Sequence, residues 1–61
     1  MKSSELIRLV ERAGWIEIRQ KGSHKIFYNI DTGESVSVPY HSSREVPKGT
    51  AIKVLKKIGL K

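Results

Sequence analysis

Two histidines, His24 and His41, are the side chains of this 61-residue chain best able to exchange a proton near neutrality. His24 lies in the stretch "IRQKGSHKIFYNI", where Arg19, Lys21 and Lys25 bracket it. An imidazole set among cations suits phosphodiester chemistry, because the cations steady phosphate oxygens while the ring moves a proton. RNA needs no nucleophile from the protein, since its own 2′-hydroxyl can attack the neighbouring phosphorus. The residues alone allow a second reading, in which His24 is a solvated residue beside a turn. Ser23 is no nucleophile partner for it, because neighbours on a strand point to opposite faces.

The remaining candidates are few. His41 falls in the polar segment "PYHSSREVPKGT", either as a second acid or base that meets His24 or as a solvated loop residue. Lys48, Gly49 and Thr50 come next, at a helix start, where free amides and the positive dipole end attract phosphate. Gly49 is equally a tolerated weakness in that helix. Trp15 and Tyr28 are able to stack on a base, although Trp15, placed directly after a helix end, is expected at the edge of the core. No cluster of His, Asp and Glu has metal-ligand spacing, and no Gly-rich phosphate loop or cysteine is present. Neither a metal nor a cofactor is expected.

Charge points the same way as the histidine. Twelve Lys and Arg against six Asp and Glu give a formal charge of +6, divided evenly between the two halves of the chain. The folded body rather than a tail is therefore positive, and such a field draws polyanions. The opening Met-Lys-Ser-Ser runs into an amphipathic pattern rather than a signal peptide, and no apolar run is long enough to cross a membrane. A cytoplasmic protein with no membrane association is the expectation.

These groups need a frame to hold them. "SSELIRLVERAGW" has Leu6, Leu9, Val10 and Ala13 at helical spacing, with Ser3 or Ser4 as N-cap and Gly14 as the terminating residue. "WIEIRQ" alternates as a half-buried strand does, which places Ile16 and Ile18 on one side and Trp15, Glu17 and Arg19 on the other. After the turn at Gly22 and Ser23, "HKIFYNI" forms a second strand. His24 shares its parity with Ile26, Tyr28 and Ile30, while Phe27 lies opposite, and either set qualifies as the core face. "DTG" turns the chain again into "ESVSVP", with Val36 and Val38 inward and Pro39 ending the strand. The last helix is "PKGTAIKVLKKIG", with Pro47 in its first position, Ala51, Leu55 and Ile58 on its apolar stripe, and Gly59-Leu60 as its cap. Val46 is a poor N-cap, so a start as early as Ser43 is the alternative. Lys53, Lys56 and Lys57 face away as a solvated cationic side. The order is α-β-β-β-α in a single domain over residues 1–61: an α+β sandwich of two layers, with both helices on one face of a three-stranded antiparallel sheet.

The hexapeptide "GSHKIF", Gly22 to Phe27, resembles the Gly-Ser-His-x-x-Phe motif of HicA-type toxins, the mRNA interferases of bacterial toxin–antitoxin pairs. "SSELIRLVERAGW", "VPYHSSREVPKGT" and "IKVLKKIGLK" resemble the same family in order and spacing, so the likeness runs along nearly the whole chain. The resemblance implies a fold similar to the double-stranded-RNA-binding domain. It implies His24 as the catalytic acid or base of metal-independent RNA cleavage, with Gly22 and Ser23 setting its turn. It also implies a HicB-type antitoxin that covers the site. His41 matches a position often held by histidine, without an assigned role. On this reading Arg19, Lys21, Lys25 and Lys48 hold the RNA. The rivals are a non-catalytic double-stranded-RNA-binding module and a domain that binds only protein.

Overall fold

Both helices stop in the same way, and the stop sets the path of the chain beyond each of them. In a computed structural model, which describes residues 1–41 and 44–60, the first helix, α1, spans Ser3–Arg12 and gives way to Gly14 at a φ of 92°. Gly14 donates its amide to the Glu11 carbonyl and Trp15 donates to that of Val10. These are the paired bonds of a Schellman ending, in which the second residue past the cap folds back on the last turn. Trp15 is consequently buried with Val10 in the core, as its place after the helix suggested. The second helix, α2, spans Lys48–Lys57 and repeats the device: Gly59 donates to Lys56 and Leu60 to Leu55. Leu60 stays exposed, however, so the apolar contact made by Trp15 has no counterpart there.

The strands are β1 at Ile16–Lys21, β2 at His24–Tyr28 and β3 at Ser35–Pro39, paired antiparallel in that order. Gly22, at a φ of 59°, takes the positive φ that a two-residue hairpin loop demands, and the Gln20 side-chain amide donates to its carbonyl. At the other turn the Asn29 carboxamide oxygen accepts from the amides of Asp31 and Thr32. Phe27 and Val38 are fully buried, with Val36 beside them, so this parity is the face that meets the helices. Leu6, Ile7, Val10, Ala51, Val54 and Leu55 complete the core from the helix side. Ile7 and Val54 join a stripe in which the spacing had favoured Ala13, which is exposed, and Ile58, which is only partly covered.

Three details depart from the sequence reading. Ile16 and Ile18 are 49% and 55% exposed while Trp15 is 5% exposed, so the side of Trp15 is the buried one, but Arg19 does not stay on it as strict alternation required. The ladder skips a residue between Glu17 and Arg19, so Ile18 is an extra residue in a β-bulge and the alternation changes phase there. Second, the N-cap of α1 is Lys2, whose amide donates to the Glu5 carboxylate; Ser3 is already helical and buried. The Ser3 hydroxyl donates instead to the carbonyl of Pro39 and accepts from the His41 amide at 3.3 Å. Third, α2 begins at Lys48 with Pro47 as its cap residue, one position later than expected. Val46 is no cap at all but a buried residue ahead of it, in the same cluster as Ala51, which is the placing of a hydrophobic staple. Ser43, the alternative start, lies outside the described residues. Met1 and Ser3 bond the backbone of Val46 and Arg44, which ties this approach segment to the head of α1.

The result is the expected two-layer α+β order α-β-β-β-α with both helices on one sheet face, consistent with a double-stranded-RNA-binding-domain-like fold.

Candidate active site

With Phe27 and Val38 committed to the core, the other face of the sheet is open, and His24 lies on it. Directly opposed residues of an antiparallel pair share a face. His24 is opposed by Lys21 on one side and Pro39 on the other, and Ile26 by Arg19 and Ser37. Tyr28, Ile16 and Ser35 form the next row. His24, Lys21, Arg19, Ser37, Ile26 and Tyr28 therefore occupy one surface. Among the described residues, none of the ladder positions on this face is acidic.

The bulge at Ile18 sets this composition. Without the extra residue, strict alternation from Trp15 would turn Arg19 and Lys21 toward the helices, since a slip of one residue reverses every facing. With it, both cations stand beside the histidine. The two-residue turn holds them there: Lys21 and His24 are the closing pair, and the Ser23 carbonyl accepts from the Tyr40 amide at 2.6 Å, carrying the β3 contact past Pro39 to the turn itself.

His24 is exposed, and its Nδ1 lies 3.3 Å from the hydroxyl oxygen of Ser37. Ser37 is the one site residue that the sequence reading passed over. The alternation of "VSV" carried the signal: with Val36 and Val38 inward, Ser37 has to face out, and burial of Phe27 puts His24 on that same side.

The other candidates divide. Lys25 does not flank His24 on the open face. It shares the parity of Phe27, pairs with Glu17 at 3.3 Å, and places its ammonium 4.4 Å from the centre of the Tyr40 ring. Lys48 opens α2 in the helix layer, on the opposite side of the sheet from the open face. His41 is exposed two residues past Pro39, the strand partner of His24, and its backbone is occupied by Ser3 and Arg44. Trp15 is in the core and presents no stacking surface, whereas Tyr28 is half-buried on the open face. Lys57 is drawn to Glu34 at 3.0 Å, while Lys53 and Lys56 are solvent-exposed. Among the described residues no three His, Asp or Glu side chains gather as a metal site, and no helix is long and apolar enough to cross a membrane.

The arrangement is a proton-exchanging ring with one nitrogen held, two cations beside it, and an open approach. No curated protein matches the chain significantly. The family model described as the HicA toxin of bacterial toxin–antitoxin systems matches residues 3–60. That span holds α1, the bulged hairpin with His24, β3 and α2, and the chain belongs to the HicA toxin family.

Proposed function

We propose that the chain is an endoribonuclease, an mRNA interferase that cuts RNA without a metal ion and uses His24 as general acid or base. Family membership makes it a toxin with a partner antitoxin. We assign mRNA as its target, a HicB-type protein as that antitoxin, and the cytoplasm as the place where they meet. The observation that carries the reading is the gathering of Lys21 and Arg19 on one exposed face with His24, the histidine of the Gly22-Ser23-His24 motif.

The chemistry is an in-line transfer. The 2′-oxygen attacks phosphorus as its proton passes to a base, and the bond from phosphorus to the 5′-oxygen breaks as that oxygen takes up a proton. The products are a 2′,3′-cyclic phosphate and a 5′-hydroxyl. His24 serves one of these proton transfers. Lys21 and Arg19 neutralise the charge that builds on the non-bridging oxygens, a form of stabilisation effective only where the cations are already in place. Lys25 is better used in its pair with Glu17, and we leave it out of the RNA-holding set. Lys48 would meet the backbone away from the scissile bond, and His41 is the candidate for the second proton.

The test is cleavage of a defined RNA by purified wild-type protein and by His24→Ala, each with and without chelator. Wild type is expected to cut equally well in chelator, and a folded His24→Ala to leave the RNA intact. Wild-type cutting by the variant, or loss of all cutting in chelator, overturns the mechanism. A wild-type protein that binds and protects RNA without shortening it is the non-catalytic module.

A further inference from the structure

We propose that Ser37 is the positioning residue of His24: its hydroxyl accepts the Nδ1–H of the imidazole and so leaves Nε2 as the atom that exchanges protons with RNA. The inference deepens the function proposed above and rests on it. Ser37 sits in the middle of β3, opposite Ile26 and diagonal to His24, with its hydroxyl oxygen 3.3 Å from Nδ1. Both residues belong to paired strands, so the contact joins two parts of a rigid sheet rather than two loops.

A neutral imidazole carries one N–H, and the nitrogen without it is the only one able to act as a base. In the cationic ring both nitrogens carry hydrogen, so Ser37 has to accept from Nδ1. When the outward nitrogen then gives up its proton, the Nδ1–H···Oγ bond stays as it was. The reverse tautomer requires the hydroxyl to turn and donate, and it blocks Nε2 with hydrogen in the state that has to take a proton. A single arrangement thus serves both halves of the cycle.

The charged and titratable neighbours agree with this assignment. Lys21 faces His24 directly from β1, and Arg19 stands on its diagonal. Ser35, Ser37 and Pro39 on β3 bring no charge to the face. Tyr28 lies further along β2, His41 lies beyond Pro39, and Lys25 and both helices are on the other side of the sheet. Among the described residues no carboxylate competes with Ser37 for the Nδ1 proton.

Nitrogen-15 NMR of the labelled chain, with the ring in its neutral form, reads the tautomer without reference to catalysis. Wild type is expected to hold His24 mainly as the Nδ1–H form, Ser37→Ala to shift it toward Nε2–H, and Ser37→Thr to restore it. In cleavage assays Ser37→Ala is expected to lower kcat roughly tenfold with KM little changed, the scale of one neutral hydrogen bond, and Ser37→Thr to recover it. The same tautomer ratio in wild type and Ser37→Ala overturns the assignment. So does a majority of Nε2–H in wild type, even if His24→Ala abolishes cutting. If His24→Ala still cuts, the nuclease mechanism fails, while the tautomer result stands by itself.

Discussion

Lys21 and His24 face each other across the first hairpin as its closing pair, with only Gly22 and Ser23 between them. A cation on the next strand is thereby fixed beside the ring whatever the rest of the surface does. Arg19 takes the diagonal place, but Lys25, although adjacent to His24 in sequence, is bound to Glu17 on the other face. Lys21→Ala and Arg19→Ala are each expected to lower the slope of log K against log salt for RNA binding by about one. Lys25→Ala should leave that slope nearly unchanged. Equal losses of slope from all three would mean that facing has no bearing on the contact.

The same hairpin makes a sharper demand on Gly22. Its φ of 59° is a left-handed value, and a Cβ built there meets nothing within 4 Å. The penalty for a side chain is purely conformational, about 1–2 kcal/mol for an ordinary L-residue. Gly22→Ala should lower stability by that amount in urea unfolding, and Gly22→Asn by less, because asparagine tolerates this region. An alanine variant as stable as wild type would show that the turn had changed type.

Trp15 and Ile18 show what alternation alone leaves open. The pattern sets them on opposite sides of the strand, and the fold buries Trp15 and leaves Ile18 exposed in a bulge. Ile18→Thr is therefore expected to change stability by no more than about 0.5 kcal/mol. Trp15→Ala should cost about 3–5 kcal/mol, enough to unfold most of so small a domain at ordinary temperature. Circular dichroism melts of the two variants decide the point, and an Ile18→Thr as damaging as Trp15→Ala would contradict the facing described.

How much of this was legible in the sequence depends on the range of each interaction. The Gly22-Ser23 turn, the helix stops at Gly14 and Gly59, and the inward Val36 and Val38 are local signals, and each was readable from a few residues. Facing along β1 was not, because a bulge resets the phase without any special residue to announce it; Ile18 is as apolar as Ile16. Ser3 misled for a related reason. A serine beside a helix start reads as a cap, but its partners, Pro39 and His41, are 36 and 38 residues away. The His24–Ser37 contact needed one fact that pattern could not supply, namely which parity of β2 is buried.

Ser3 supports a prediction of its own. Its buried hydroxyl is the partner of both the Pro39 carbonyl and the His41 amide, so Ser3→Ala removes one group and leaves two unpaired. The cost is expected to be about 1–3 kcal/mol. Ser4→Ala, exposed and without such a role, should be near neutral. Because Pro39 is the strand partner of His24, amide exchange at Tyr40 should also quicken in Ser3→Ala. Equal stability of the two alanine variants would refute this role of the Ser3 hydroxyl.

Glu34 and Lys57 join the second turn to the end of α2, 3.0 Å apart on the surface. The hydrogen bond and the positive charge from Lys57 hold the Glu34 carboxyl below the usual carboxylate range, against an opposing effect of desolvation and with a smaller hydrogen bond from Thr32. A carboxyl whose pKa is depressed by folding binds its proton more weakly in the native state than in the unfolded chain. Its contribution is therefore present above the unfolded pKa and is lost as pH falls through the folded one. Solvent screens an exposed pair, so the contribution is small and weakens further with salt. Lys57→Ala should return the Glu34 titration, tracked by carbon-13 NMR of the carboxyl, to the ordinary range. The small difference in Tm between wild type and variant at neutral pH should vanish on acidification past the Glu34 titration. An unchanged Glu34 titration in Lys57→Ala would show that the pair does not hold in solution, and that the end of α2 and the β2–β3 turn are joined through the core alone.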